Sequence, residues 1–295
     1  MNEVFEDHRN LLFAVAYRML GTVADAEDVV QDAWLNWTSA DRSHVAEPKG
    51  YLVRIATNLA LDRLRSARVQ RESYVGPWLP EPLLTAPDVA EDVELAESVS
   101  MAMLVVLETL SPLERAVFVL REVFGFPHGE IAQALGRSES SVRQLGHRAR
   151  EHVQARRPRF ETGAAERRQA TDRFFAAALG GDLNELMEVL APDVTLWTDG
   201  GGKVRAALRT MTGAERVARW LAAVAERPYD GVAPEDIRLE LAEINGVPGV
   251  LIKGPHRLLG TVTVDVDSDG RAQTIHLVAN PDKLRPIAEG RELQL

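Results

Sequence analysis

Residues 126–153, FPHGEIAQALGRSESSVRQLGHRAREHV, leave the chain little choice of local structure. Ile131, Ala132 and Leu135 recur at helical spacing and give one short helix an apolar face. Gly136 then supplies a residue for which a left-handed backbone is free of steric penalty, so that helix ends there. Ser138 is placed to cap a second helix, in which Val142 and Leu145 fall three apart and face back onto the first. Two short helices closed around a glycine turn read as a helix-turn-helix. The outward face of the second helix carries Glu139, Ser140, Arg143, Gln144, His147, Arg148 and Arg150, side chains suited to base edges and phosphates. A plain helical hairpin with a solvated basic face has the same apolar spacing. Agreement between turn chemistry and surface chemistry favours DNA binding.

A net charge of −10 over 295 residues looks wrong for a nucleic-acid binder until its distribution is considered. Residues 54–72 hold five arginines against two acids, and residues 137–157 hold six against two. Between these basic blocks, residues 72–97 hold seven acids and no Lys or Arg. The chain has no cysteine, hence no disulfide framework and no thiolate zinc site, which suits the cytoplasm. No apolar run is long enough to span a bilayer, and the polar, acidic N-terminus does not read as a signal peptide. The length allows two or three domains.

Upstream of the helix-turn-helix the pattern is helical. Residues 3–20 form an amphipathic helix ended by Gly21, and Thr22 is expected to cap the next one with Asp25 as its partner. In that helix Ala26, Val29, Val30, Ala33, Trp34 and Trp37 make an apolar stripe, while Asp25, Asp28 and Asp32 make an acidic one fit to dock on a basic partner. A third helix over 51–68 turns Leu52, Ile55, Ala56 and Leu59 inward and Arg54, Asn58, Asp62 and Arg65 outward. Four prolines in 74–87 exclude a helix and predict an extended linker, with Trp78 placed to pin it to a neighbouring domain. Helices resume near Val89, and Ser111-Pro112-Leu113-Glu114 is a strong helix start.

Beyond residue 165 the chain changes character. A helix over 169–190, a strand over 193–197, a glycine turn over 199–203 and a helix over 213–227 precede strands at 237–244, 250–253, 258–266 and 272–278. Helices followed by a curled antiparallel sheet predict an α+β domain with a possible pocket.

The stretches Ala24–Asp32 (ADAEDVVQD) and Tyr51–Arg65 (YLVRIATNLALDRLR), together with Ser111–Arg121 and the helix-turn-helix, resemble the extracytoplasmic-function sigma factors of bacterial RNA polymerase. Residues 165–285 resemble a SnoaL-like, NTF2-like cone, and the combination is similar to the sigma subgroup carrying such an extension. The resemblance implies two all-α sigma domains followed by the α+β domain: region 2 over 1–72, an acidic Pro-rich linker over 73–95, region 4 over 96–157 and the SnoaL-like domain over 165–286.

It further implies docking of Asp25, Asp28, Gln31 and Asp32 on the clamp coiled coil of the β′ subunit of core polymerase, with β the other partner subunit. Ser43, His44, Arg54, Asn58 and Arg65 would meet the −10 element, where a base is flipped out and held. Glu139, Ser140, Arg143, Gln144, His147 and Arg148 would read the −35 element, and the acidic linker would thread the cleft that nascent RNA follows. Trp78, Asp199, Gly200, Gly201, Lys203, Asn280, Pro281, Asp282 and Lys283 are signatures of the subgroup and candidates for a regulatory interdomain contact acting in cis, so that no separate anti-sigma protein is expected to be required.

No membrane, cofactor or metal is implied. An enzymatic reading of the cone would need His276 or Asp199; no paired acid and base stands out, and no catalytic residue is expected. The other reading is a free-standing DNA-binding regulator with a small-molecule-sensing domain, in which the acidic helix and the linker have no task.

Overall fold

The computed structural model describes residues 2–39, 45–85, 98–156, 164–180 and 183–293. Ser43 and His44, and residues 86–95 of the acidic linker, lie outside the described residues. The chain divides into two compact units: Met1–Ser73 with Met103–Arg157, and Tyr74–Ala102 with Pro158–Leu293.

The first unit is helical. Helices α1 (Asn2–Leu20), α2 (Val23–Thr38) and α3 (Pro48–Glu72) bury Phe5, Leu12, Val15 and Met19, then Val29, Ala33 and Trp37, then Leu52, Ala56 and Ala60. Two local expectations fail. Thr22 makes no side-chain cap bond; its hydroxyl donates instead to its expected partner, Asp25 Oδ2, at 2.5 Å. Trp34 is 37% exposed whereas Trp37 is 2% exposed, since the packing of α1 and α3 covers the face that carries Trp37 and leaves Trp34 at its margin.

After α4 (Met101–Glu108), Ser111 and Glu114 form a reciprocal capping box that starts α5 (Pro112–Phe118), which runs into a π turn at Val119–Val123. Helix α6 (His128–Leu135) ends at Gly136, which has φ of +61°, and α7 (Glu139–Arg156) follows. Ser138 Oγ accepts from the Ser141 N–H at 3.3 Å, and Val142, Leu145, Ala149 and Val153 are buried.

The second unit opens with two helices, α8 (Ala164–Gly180) and α9 (Leu183–Val189), where periodicity suggested one. Eight strands form one sheet: β1 (Leu84–Thr85), β2 (Leu190–Asp199), β3 (Met211–Thr212), β4 (Arg238–Ile244), β5 (Val247–Lys253), β6 (Leu258–Val266), β7 (Ala272–Val278) and β8 (Glu292–Leu293), in the order β3-β2-β7-β6-β5-β4-β1-β8. The sheet is mixed rather than purely antiparallel. Hairpins join β4 to β7 as an antiparallel meander, but β2 pairs in parallel with β7, and β1 with β8. On one face, helix α10 (Ala214–Ala225) and α8 close a core that includes Phe174, Leu186, Val217, Val250, Val264 and Ile275. On the other, helix α11 (Pro281–Ala288) adds Ile287 to a small cluster with Ile244 and Leu251.

Candidate functional site

Helix α7 presents Glu139, Ser140, Arg143, Gln144, His147 and Arg148 as exposed side chains, because its buried positions all fall on the opposite stripe. Gly146 lets α7 approach α5: a Cβ there would lie 3.4 Å from Val117. The charges are ordered locally. Arg143 pairs with Glu139 one turn back, Arg148 lies 3.1 Å from Glu114, and Arg150 lies 3.7 Å from Glu122. The Arg143–Glu139 pair is exposed on both sides and therefore contributes little.

On α2, Asp28, Gln31, Asp32 and Leu35 share one helix face. Both terminal nitrogens of Arg63 donate to Asp32 Oδ2 at 3.0 Å, and Asp28 lies 3.6 Å from the same guanidinium. Asp25 is half-buried and bound to Thr22. Leu35 is 51% exposed beside the acids, so the face combines charge with apolar surface.

Helix α3 exposes Arg54, Asn58 and Arg65, which have different surroundings. Arg54 lies over the Tyr51 ring at 4.9 Å and lines a cleft of about 750 Å³ shared with Phe126, Glu130 and Gln133. Asn58 Nδ2 donates to the Ala134 carbonyl of α6 at 3.2 Å. Arg65 pairs with Asp62. The face expected to meet the −10 element is thus partly engaged by the helix-turn-helix.

Behind these faces a largely buried cluster ties the helices together. Glu108 accepts from Arg71 and, at 2.7 Å, from Arg115. The same guanidiniums donate to the end of α1, Arg115 to the Met19 carbonyl and Arg71 to the Leu20 carbonyl, both at 2.6 Å. Last-turn carbonyls need such external donors. Burial lowers the pKa of Arg115 to about 9 and that of Arg71 to about 10, the latter helped by the nearby Arg115 charge. Both remain cations at neutral pH.

In the second unit the subgroup signatures converge on one carboxylate. Asp199, at the end of β2, is 0% exposed. Its Oδ1 accepts from the Tyr74 hydroxyl at 2.5 Å and the Gly201 N–H at 3.1 Å; its Oδ2 accepts from the Leu79 N–H at 2.8 Å and Lys283 Nζ at 2.7 Å. Lys283 also donates to the Leu79 carbonyl, and its ammonium lies 4.2 Å from the Trp78 ring centroid and 4.9 Å from that of Tyr74. Asn280 caps α11 by accepting from the Asp282 N–H and donates to the Tyr74 hydroxyl at 2.8 Å. Pro281, exposed, takes the first helical position, and Lys203 bridges to Asp282 at 2.5 Å. Gly200 and Gly201 permit the close turn; with φ of +60°, a Cβ on Gly201 would lie 2.3 Å from Asn280 Nδ2. Burial, then the Asp199 carboxylate, pushes the Tyr74 hydroxyl well above its ordinary pKa, so it remains a donor.

The residues held by this clasp are the linker. Leu79 and Leu83 are buried, and β1 joins the edge of β4. Leu83 exchanges hydrogen bonds with Asn245, whose Oδ1 accepts at 3.1 Å and whose N–H donates at 2.9 Å, and Thr85 Oγ1 accepts from the Gly246 N–H at 2.7 Å.

The Sigma-70 region 2 family model matches residues 4–69, and the Sigma-70, region 4 model matches residues 100–153. The chain is 39% identical to the ECF RNA polymerase sigma factor SigJ of Mycobacterium tuberculosis, over 97% of this chain and 95% of that one. The chain belongs to the extracytoplasmic-function sigma factors. It is also 32% identical to the probable ECF RNA polymerase sigma factor SigI of the same organism, over 95% of this chain and 93% of that one. The crystal structure of the Mycobacterium tuberculosis SigJ protein matches with a TM-score of 0.76 at 36% identity, covering 97% of this chain and 98% of that one. The likeness therefore extends through the α+β domain, and a sigma factor is favoured over a free-standing regulator. Among the described residues no helix is long and apolar enough to cross a membrane.

Sequence reasoning missed Tyr74, Asn245, Arg63 and Glu108. The Asn245-Gly246 dipeptide is of the kind that favours a tight hairpin turn, and both residues have positive φ. Nothing local indicated that its side chain would hold the linker. His276 resolves the other way: Ile275 and Leu277 line the cavity of the cone, so His276 faces the opposite side of the sheet, opposite Thr263 of β6.

Proposed function

We propose that this sigma factor docks on core polymerase through Asp28, Gln31, Asp32 and Leu35 of α2, with Asp25 holding the first turn of that helix. Arg54, Asn58 and Arg65 of α3 meet the −10 element, with Ser43 and His44 upstream of α3 in the sequence, and the outer face of α7 meets the −35 element. The C-terminal domain modulates these activities in cis by retaining the linker between the two sigma regions. The observation that carries this reading is the Asp199 clasp, which makes Tyr74–Thr85 part of the α+β unit. A linker seated there is unavailable to the RNA-exit cleft of polymerase, so the two seats compete for one segment. Each fully buried leucine of the linker favours the domain by about 1.5–3 kcal/mol, enough to make the competition real. The Asn58–Ala134 hydrogen bond supports a resting state in which the −10 reader is engaged by region 4. No separate anti-sigma protein is required in this scheme.

The domain acts by binding rather than catalysis. His276 faces away from the cavity, Asp199 is saturated with donors, and no carboxylate or imidazole lies among the described lining residues. Promoter-dependent transcription with core polymerase, comparing the full-length chain with one ending at Phe160, tests the scheme. The truncated chain is expected to give a different transcript yield from the same promoter. Equal yields remove the cis role, and no transcript from either chain removes the initiation role assigned to these residues.

A further inference from the structure

The cone of the α+β unit encloses a cavity of about 370 Å³. Protein interiors are packed about as densely as organic crystals, and voids larger than a water molecule are few. Sites that accept small molecules typically occupy roughly 300–1,000 Å³, and this cavity lies in that range. Side chains that a filled core would cover completely, among them Trp220, Ile252 and Leu277, are only half-buried here, because they border the cavity instead of one another.

The walls state what kind of molecule would fill it. They are apolar, and the aromatic rings of Phe174, Trp220 and Tyr229 are part of them. Rings gain from offset or edge-on contact with other rings, beyond the area they cover. The polar side of the cavity is Arg205. It is the one charged residue among the described lining residues, it is exposed, and it has no acidic partner among the described residues. The neighbouring Arg257 is committed to Asp230, both to its carboxylate and to its carbonyl. Beside Arg205 the Tyr229 hydroxyl is buried without a hydrogen-bond partner among the described residues. Both side chains line the cavity; burial and then the Asp230 charge raise the Tyr229 pKa to about 12, and the Arg205 and Arg257 charges oppose the shift. An uncommitted cation next to an unpaired donor is a place for an acceptor carrying negative charge.

We propose that this cavity is a binding site for a small apolar acid that carries a ring system, with the rings against Phe174, Trp220 and Leu277 and the acid group at Arg205. Nothing in the sigma regions or the linker clasp takes part in this site, so it stands or falls independently of the cis-regulatory scheme.

Isothermal titration of the full-length protein with 2-naphthoate, and with naphthalene as its counterpart lacking the acid, tests the assignment. The wild-type chain is expected to bind both, the acid more tightly. Arg205→Met keeps the aliphatic stem and removes the charge, and is expected to weaken 2-naphthoate about tenfold while leaving naphthalene unchanged. Leu277→Trp fills the cavity and is expected to abolish both, with a melting curve to show that the variant is folded. If Leu277→Trp does not fold, the Arg205→Met comparison decides alone. Binding that survives in folded Leu277→Trp, equal affinity of 2-naphthoate for wild type and Arg205→Met, or no binding of either compound to the wild-type chain overturns the proposal.

Discussion

Glu108 in the helical unit and Asp199 in the α+β unit are both carboxylates that hold distant parts of the chain together, but they do so with different partners. Glu108 is partly exposed and shared by two arginines, each of which also donates to a carbonyl at the end of α1. Asp199 is fully buried and meets one lysine, one phenol and two backbone N–H groups. Removing Glu108 leaves its arginines with other acceptors. Removing Asp199 takes away the buried carboxylate that meets the Lys283 ammonium at 2.7 Å. The arginines of the sigma helices keep other acceptors, whereas at Tyr74 and Leu79 the linker meets one fully buried carboxylate, with Asn245, Gly246 and the pairing of β1 holding it further on. That asymmetry is what a segment meant to be released would need.

Four measurements break or sharpen the contrast. Asp199→Ala strands a buried ammonium and is expected to destabilise the α+β unit by about 3–5 kcal/mol. Calorimetry of the full-length chain would show its transition lowered and that of the helical unit unchanged, with new protease cleavage between Tyr74 and Thr85. Glu108→Gln keeps the shape and removes one charge, with an expected loss of about 2 kcal/mol confined to the helical transition in the same scan. A loss as large as that of Asp199→Ala would end the claim of redundancy.

Acid separates the units a third way. Burial lowers the His276 pKa from 6.5 to about 3, despite Asp265 Oδ2 at 3.5 Å from its Nδ1. The imidazole is therefore neutral in the folded domain where the unfolded chain would protonate it. Stability from this group is complete above pH 6.5 and is lost as pH falls toward 3. Between pH 7 and pH 5 the α+β transition is expected to lose about 2 kcal/mol, and His276→Gln to flatten that slope. A slope unchanged in the variant would contradict a neutral buried imidazole. Smallest is Arg143→Ala, whose exposed pairing with Glu139 contributes little to folding. It is expected to leave both transitions in place and to reduce promoter use about fivefold, or about 1 kcal/mol, in run-off transcription with core-polymerase affinity unchanged. An equal loss on a promoter with an altered −35 element would show that Arg143 does not read that element.

Much of this architecture was legible along the chain. The spacing of Ile131, Leu135, Val142 and Leu145 around Gly136 dictated two helices and their turn, since periodicity and a left-handed residue act within a few positions. The capping box at Ser111 and Glu114 and the strand bounds of β6 and β7 were readable for the same local reason. The exposed set on α7 followed once its buried stripe was known.

What the sequence could not decide was who satisfies whom. Asp199 and Lys283 were visible as part of the subgroup pattern, yet that Tyr74 and Leu79 complete the clasp depends on residues more than a hundred positions apart meeting at the end of β2. Trp34 and Trp37 look equivalent in one stripe, and only the packing of α1 and α3 buries one and leaves the other at the surface. The alternation around His276 fixes two faces, and the closing of the cone determines which of them borders the cavity. Local patterns set backbone conformation because the relevant interactions span a turn or a strand pair; a buried polar group is satisfied by whatever the tertiary fold brings to it.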